Sequence, residues 1–438
     1  MDLSHLRTFR AVAADLNGQL RGKRLPALAA DKLEEGSVRL PYSVLNVDIW
    51  GADIVDSPLV FETGDADGVL LPTERGALPM PWLEHASALV PMWMFHDDGT
   101  PFAGDPRHAL KQVLDRYAAR GWTVHGAAEM EFYLVDDADD LLAPPLNPLS
   151  KRPLQAQAIL SLRQLDAFDN FFTALYDACA LMDIPAQSTI SEAGLGQFEI
   201  DLHHTDAMRA ADNALLFKTL TKGLARRHGM AATFMSKPFD EDAGNGMHVH
   251  FSILDADGRN IFDDGTARGS DVLLHAVAGC LKAAHGSTLV FAPHANSYER
   301  LVPGAHAPTG IAWAYDNRTA AIRIPGGAPA ARRIEHRVSG GDINPYLTFA
   351  VILGAALAGI EDGAMPPDPI TGNAYDLDLP QLAPDWATAI DAFESDAFIA
   401  RCLPGDLIRN LCYTKRQEVW RMAETPAREQ WKIYLEAV

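Results

Sequence analysis

The stretch GNGMHVHFSI, residues 244–253, sets two histidines two positions apart just after Gly244 and Gly246, which let the chain turn tightly. A strand has a side-chain period of two, so His248, His250 and Ser252 share one face and Val249, Phe251 and Ile253 the other. A polar face on a buried strand needs a partner. A metal ion, a phosphate group or bulk water would each serve.

Three more segments repeat the pattern. In AAEMEFYLV (127–135), Glu129 and Glu131 alternate with Met130, Phe132 and Leu134. In GQFEIDL (196–202), Gln197, Glu199 and Asp201 alternate with Phe198, Ile200 and Leu202. In RRIEHRV (332–338), Arg333, Glu335 and Arg337 alternate with Ile334, His336 and Val338. One such strand reads as a sheet with one face in water. Four of them, all supplying Glu or His, point elsewhere, because crowded carboxylates repel unless cations neutralise them. Carboxylates with imidazole and no cysteine favour Mg²⁺ or Mn²⁺ over Zn²⁺. Mg²⁺ commonly binds through a few carboxylates and substrate phosphates, which implies a nucleotide.

Arg300, Arg318 and Arg323 follow within a stretch rich in Pro and Gly turns, and Arg337 lies on the last acidic strand. Guanidinium forks bind carboxylate and phosphate bidentately. Beside acidic metal ligands they suit activation of a carboxylate by phosphoryl transfer, where catalysis is mainly positioning and charge neutralisation. No GxxxxGK[ST] is present and no GxGxxG follows a strand, so a nucleotide would be held by this sheet and its arginines.

The elements that must position these residues follow from punctuation and periodicity. The first hundred residues carry short β-like runs, such as SVLNVDIWG and GVLLP, and a domain boundary is expected near residue 104. Asp105-Pro106 opens an amphipathic helix that Gly121 closes. Further helices are expected over 165–182 and 207–228. A Pro- and Asp-rich loop is expected over 364–385, and helices from 386 to 437. The apolar run 347–360 is too short for a comfortable bilayer span and reads as a buried helix.

Composition bounds the rest. With 438 residues and 48% hydrophobic content, the chain can build a large core over two or three domains. A formal charge of −21 without a basic run argues against nucleic acid. Cys179, Cys280, Cys402 and Cys412 lack metal-ligand spacing, and the N-terminus has no apolar signal core. A cytoplasmic protein with free thiols and no membrane partner is expected.

At AEMEF, EAGLGQFE, ATFMSKPF, GNGMHVHFS, NSYERLVPG, NRTAAIRIP, RRIEHRV and NPYL, the sequence resembles the glutamine synthetase family. The motifs run in family order over most of residues 15–360. DLNGQLRGKRLP, LPYSVLNVDIWG and the DAGNGMHVHFS context look most like the gamma-glutamylputrescine synthetases, which join the γ-carboxylate of glutamate to a polyamine. The resemblance implies an α+β fold with a small β-grasp-like domain (1–104) and a catalytic domain (105–438) carrying a curved antiparallel sheet and helices. It implies homo-oligomers, hexameric rings commonly stacked into dodecamers, with sites shared between neighbours.

Residue by residue, the resemblance makes Glu131, Glu192 and Glu199 ligands of one divalent ion and Glu129, His248 and Glu335 ligands of a second, with two to three Mg²⁺ or Mn²⁺ per site. His250 and Ser252 would face ATP, Arg318 and Arg323 its phosphates, and Gly244, Arg300 and Arg337 the glutamate. Asp48 matches an aspartate that reaches into a neighbouring subunit and helps deprotonate the amine, with Asp53 as an alternative. Two departures bear on the amine. His306 stands where ammonia-using members have a flap glutamate, and Ala243 where they have an asparagine that contacts glutamate. A carbon-bearing amine is therefore expected in place of ammonia. Asp53, Glu62, Asp65, Trp50 and Trp313 are candidates to receive a second ammonium. Tyr375 lies in a loop that is adenylylated in some members, though a packing role suffices for it. A monoamine such as ethanolamine or methylamine, or a non-catalytic regulator on the same fold, are the competing readings.

Overall fold

The computed structural model describes residues 2–61, 64–305 and 307–438. Six strands form the first sheet: β1 (Thr8–Ala14), β2 (Leu20–Pro26), β3 (Arg39–Pro41), β4 (Asp67–Pro72), β5 (Leu78–Pro79) and β6 (Ser87–Phe95). Their order is β2-β1-β6-β4-β3, with β5 also on β6, and β1 runs parallel to β6 at the centre. Alternation along β1 divides its side chains between two cores. Phe9, Ala11 and Ala13 fill a small core under this sheet, whereas Val12 and Ala14 join the main core of the molecule. The segment SVLNVDIWG is not a strand. It forms a 3-10 helix, Tyr42–Asn46, and then a turn in which the buried Asp48 carboxylate accepts from the Trp50 and Ala52 amides.

Nine strands form the second sheet: β7 (Thr123–Val135), β8 (Ala186–Ser191), β9 (Gln197–Leu202), β10 (Thr205–Asp206), β11 (Ala231–Thr233), β12 (Met247–Leu254), β13 (Trp313–Tyr315), β14 (Ile322–Ile324) and β15 (Ile334–His336). The order is β13-β14-β15-β12-β7-β9-β8, with β10 and β11 pairing along β7. Every pair is antiparallel except β13–β14, which is parallel. The inward face of β7 places Met130, Phe132 and Leu134 in full burial. At roughly 2 kcal/mol each, these side chains anchor the register by about 6 kcal/mol. A slip of one residue would drive Glu129 and Glu131 into the core, so the apolar face dictates where the acids stand.

Helices cover that inward face. Pro106–Ala118 starts at an Asp105 cap with proline in its first turn, as the sequence predicts, and Ala207–Arg227 starts at Asp206. The helix Pro345–Asp362 is long and apolar enough to cross a membrane, yet 83% of it is buried in the fold. It packs closely on Asp271–Ala283: a Cβ on Gly279 would stand 2.0 Å from the Ala355 carbonyl oxygen. The helix expected over 165–182 is two, Leu162–Ala167 and Asp169–Leu181. Phe168 leaves helical geometry between them and packs its ring edge-on to Phe198 at 5.3 Å, so burial of an aromatic outweighs continuity. Residues 364–385 form a loop with one 3-10 turn, and three helices follow, Trp386–Ser395, Gly405–Ala423 and Ala427–Ala437. The four cysteines are buried and unbonded.

Candidate active site

The outward faces of β7, β9, β12 and β15 converge on one acidic patch. Glu129 stands opposite His248 on β12 and opposite Asp201 on β9, and Glu131 stands opposite Glu199. His250 pairs with Glu335 across β12–β15, and Glu335 with Arg323 across β14–β15. Glu192 follows β8 and enters the same patch.

Glu129 is the hub. Burial pushes its carboxyl up, but hydrogen bonds from His248 and His250 hold it well below the usual range. An ionised carboxylate only accepts, so His248 Nδ1 donates to Oε2 and His250 Nε2 to Oε1, each at 2.8 Å. Arg333 Nε donates to the other nitrogen of His250 at 3.2 Å. His250 is thereby satisfied on both sides. The second nitrogen of His248 is not: Nε2 faces Glu131 Oε1 across 4.0 Å.

Burial and the charges of Glu131, Glu129 and Glu192 push Glu199 far up, and burial with Glu131 raises Glu192 to about 7. Burial also raises Glu335, but His250 and Arg337 outweigh it and hold the carboxyl below its ordinary value. Arg337 Nη1 and Arg323 Nη1 both donate to Glu335, the latter at 2.7 Å, and Arg323 also reaches Asp316 at 2.6 Å.

Divalent ions fit this donor set. Ligand atoms of Glu129, Glu199 and His248 lie within 4.8 Å of one another, as do those of Glu129, His250 and Glu335. A Cβ built on Gly246 would meet His248 Nε2 and Glu131 Oε1 at 3.2 Å and Arg300 Nη2 at 2.9 Å, so only glycine leaves that cradle open. The two tight groups draw across the two ligand sets implied by the resemblance and share Glu129. His250 enters one of them, a position the sequence reading gave to ATP.

Arg300 is buried and donates to the Val338 carbonyl at 2.8 Å, alongside Gly244, whose Cβ would collide with the Arg300 side chain. Arg337 donates through Nε to the Arg318 carbonyl at 3.2 Å, and the exposed Arg318 charge acts on Glu192. Ser252 and His250 line a cavity of about 700 Å³ with His204, Leu254 and Arg333, floored by Glu129.

Several candidates stand elsewhere. Asp48 is fully buried: besides the two turn amides it accepts from Gln417 at 2.9 Å and from Arg421. This chain does not bring it to the acidic patch, whereas the nearby Asp53 side chain is exposed. Arg421 covers the Trp50 ring at 4.2 Å, Trp313 is buried, and Ser43 Oγ donates to Asp65 at 2.6 Å. His306 and Glu62 lie outside the described residues. Tyr375 Oη donates to the flap carbonyl of Ala307 at 3.0 Å, a packing tie. The sequence assigns Gly246 only a tight turn, and Gln197 no role in the site. Gln197 Nε2 donates to Gly244 O and Asn245 Oδ1 at 3.0 Å, and its place on the Glu199 face was the available signal.

Residues 103–434 match the model of the glutamine synthetase catalytic domain. The chain belongs to the glutamine synthetase family. It is an ATP-dependent carbon–nitrogen ligase, and enzymes of this family use ATP and divalent metals. Among similar proteins, gamma-glutamylputrescine synthetase of Escherichia coli is 37% identical over 83% of this chain and 77% of its own length. Gamma-glutamylethanolamide synthetase of Streptomyces coelicolor is 33% identical over 90% and 84%. A solved GmaS/ADP complex superposes with a TM-score of 0.83 at 30% identity, covering 99% of this chain and 97% of that one.

Proposed function

We propose that this glutamine synthetase family enzyme joins the γ-carboxylate of L-glutamate to a primary amine, and that the amine is putrescine or another polyamine. The observation that carries the reading is the acidic patch ringed by arginines, Glu129, Glu131, Glu192, Glu199, His248 and Glu335 with Arg300, Arg318, Arg323 and Arg337 around them. The likeness to the putrescine enzyme supports the polyamine.

The six acidic and imidazole ligands would hold Mg²⁺ or Mn²⁺, which supply charge neutralisation for phosphate oxygens. Arg300, Arg337 and the Gly244 backbone hold the glutamate. Arg318 and Arg323 orient the transferred phosphoryl group, and His250 and Ser252 face the nucleotide in the 700 Å³ cavity. ATP phosphorylates the γ-carboxylate, and the amine then displaces phosphate from the γ-glutamyl phosphate. The sequence has His306 where the resemblance implies a flap carboxylate, which favours a carbon-bearing amine over ammonium. The site is completed in a homo-oligomer, a dodecamer of two hexameric rings in the cytoplasm, where the turn at 48–53 of a neighbouring copy approaches the amine. The boundary near residue 104 separates the β-grasp-like part from the catalytic part.

Phosphate release from ATP with glutamate and a panel of amines tests this. Release that depends on both glutamate and Mg²⁺, and is greatest with a diamine, is expected. Release that ignores added amine would defeat the reading. The likeness to the ethanolamide enzyme favours one second reading, a monoamine substrate, which the same panel resolves.

A further inference from the structure

A second cavity, of about 850 Å³, meets the one that holds His250 and Ser252 at Arg332, which lines both. Its walls are Leu274, Trp313 and Tyr315 of β13, Ile324 and the loop after it, and the proline-rich stretch 365–369. The size lies within the range of small-molecule sites, and the walls are mainly apolar. Hydrogen bonds hold the walls in place. Trp313 Nε1 donates to the Pro367 carbonyl at 2.7 Å, the Ile370 amide to the Trp313 carbonyl at 2.9 Å, and Tyr315 Oη to the Arg268 carbonyl at 2.8 Å.

The charges around this cavity cancel in sum but not pair by pair. Arg268 is matched by Asp271 at 2.9 Å, and Asp316 by Arg323 at 2.6 Å. Asp368 is exposed to water at the rim. Arg332 is left over. It is 7% exposed, its Nη2 donates only to the neutral Thr266 carbonyl at 3.0 Å, and its Nε is buried with no partner among the described residues. A buried guanidinium without an anion is unfavourable, and its planar fork matches a carboxylate. A dianion would exceed the single free charge.

We propose that this cavity is a second ligand site that takes a small carboxylate with a flat apolar body. The carboxylate pairs with Arg332, and the body lies against Trp313, Tyr315 and the prolines. The site meets the cavity proposed for the nucleotide at Arg332 but has its own apolar walls, and it stands whatever the amine is.

Equilibrium binding of 2-naphthoate and its neutral isostere 2-naphthamide to the full-length enzyme tests the proposal. Both share the apolar body, so their ratio isolates the charge. Wild type is expected to bind naphthoate at least about tenfold more tightly than naphthamide, the size of one charge-assisted hydrogen bond. Arg332→Gln is expected to remove that preference. Met365→Trp, at an exposed wall residue, is expected to weaken both probes without touching Arg332. Because Arg332 also borders the nucleotide cavity, saturating Mg–ATP is included and is expected to leave naphthoate bound. Equal binding of the two probes, absence of binding, displacement by ATP, or unchanged binding to Met365→Trp would each overturn the site. These last measurements decide the matter even where Arg332→Gln does not fold.

Discussion

His248 gives one ring nitrogen to Glu129 Oε2 at 2.8 Å and turns the other toward Glu131 Oε1 across 4.0 Å. In its neutral form the ring then carries its lone pair on Nε2, facing a carboxylate oxygen at twice a metal–ligand distance of about 2.0–2.1 Å. The hydrogen bond to Glu129 fixes the tautomer, a role often played by a group behind a metal-bound histidine. His250, engaged on both nitrogens, has no such free lone pair.

The two histidines are therefore expected to fail differently. His248→Ala should cut kcat/KM at least about 100-fold and weaken Mn²⁺ binding, as removal of a ligand does. His250→Gln should raise the KM for ATP and change Mn²⁺ affinity less. Both side chains are on the outward face of β12, so thermal unfolding should shift little. Steady-state kinetics with Mn²⁺ titration checks the pair, and equal loss of metal affinity in both would sink the distinction.

Gly246→Ala is expected to weaken divalent-ion binding about 10–100-fold while the fold survives. The new methyl would stand 3.2 Å from His248 Nε2 and Glu131 Oε1 and 2.9 Å from Arg300 Nη2. Those are side-chain ends that can yield, so the cost falls on the cradle and not on the backbone. Mn²⁺ titration beside circular dichroism reads both halves, and full metal affinity in the variant would remove the cradle.

The acidic patch also predicts a pH effect. Burial and Glu131 raise Glu192 from 4.5 to about 7, and Glu199 moves the same way. A carboxyl raised on folding favours the folded state below its unfolded value of 4.5, and that contribution is lost as pH rises through about 7. Divalent ions compete with the protons and stabilise the ionised patch. The Tm difference between Mg²⁺-loaded and EDTA-treated enzyme should widen from pH 6 to pH 8. A gap that is constant over that interval would mean these carboxyls are not where the metal binds.

Much of this site was legible because each site strand has two faces with opposite demands. The apolar residues of AEMEF, QFEI, HVHFSI and RIEH settle which side is core, and the acids and histidines have nowhere else to go. What alternation cannot give is the third dimension. That Glu129 binds both histidines, and that Arg323 and Arg337 both grip Glu335, follows from the register between strands far apart in the chain. Asp48 shows what a motif leaves out. Within this chain its carboxylate is held by its own turn and by Arg421 and Gln417, which lie more than 360 residues later. Phe168 breaks an expected helix for a similar reason, a tertiary contact outweighing local propensity.

The proposed preference for a carbon-bearing amine rests on sequence. Ammonium in a small site needs a nearby negative charge, and the sequence has His306 where the resemblance implies a carboxylate. An alkylamine can add about 0.8 kcal/mol per buried methylene. Primary alkylamines are expected to exceed ammonia in kcat/KM by at least about tenfold, and a clear preference for ammonia would defeat the assignment.

The far end of the amine decides between a diamine and a monoamine. Putrescine and butylamine have the same four-carbon chain, so methylene burial cancels in their comparison and the ratio isolates the second ammonium. Left unpaired in a closed site, that cation would cost several kcal/mol. The structure narrows what could meet it: Arg421 already covers Trp50, Trp313 is buried, and Ser43 holds Asp65. Asp53 has an exposed side chain on the turn proposed to reach the neighbouring site. Putrescine is therefore expected to exceed butylamine in kcat/KM by at least about tenfold at pH 7, the scale of one charge-assisted hydrogen bond. Asp53→Asn should bring the ratio toward one while sparing the butylamine rate. Butylamine equal to putrescine in the wild type would mean no second-cation site exists and would move the substrate to the monoamines.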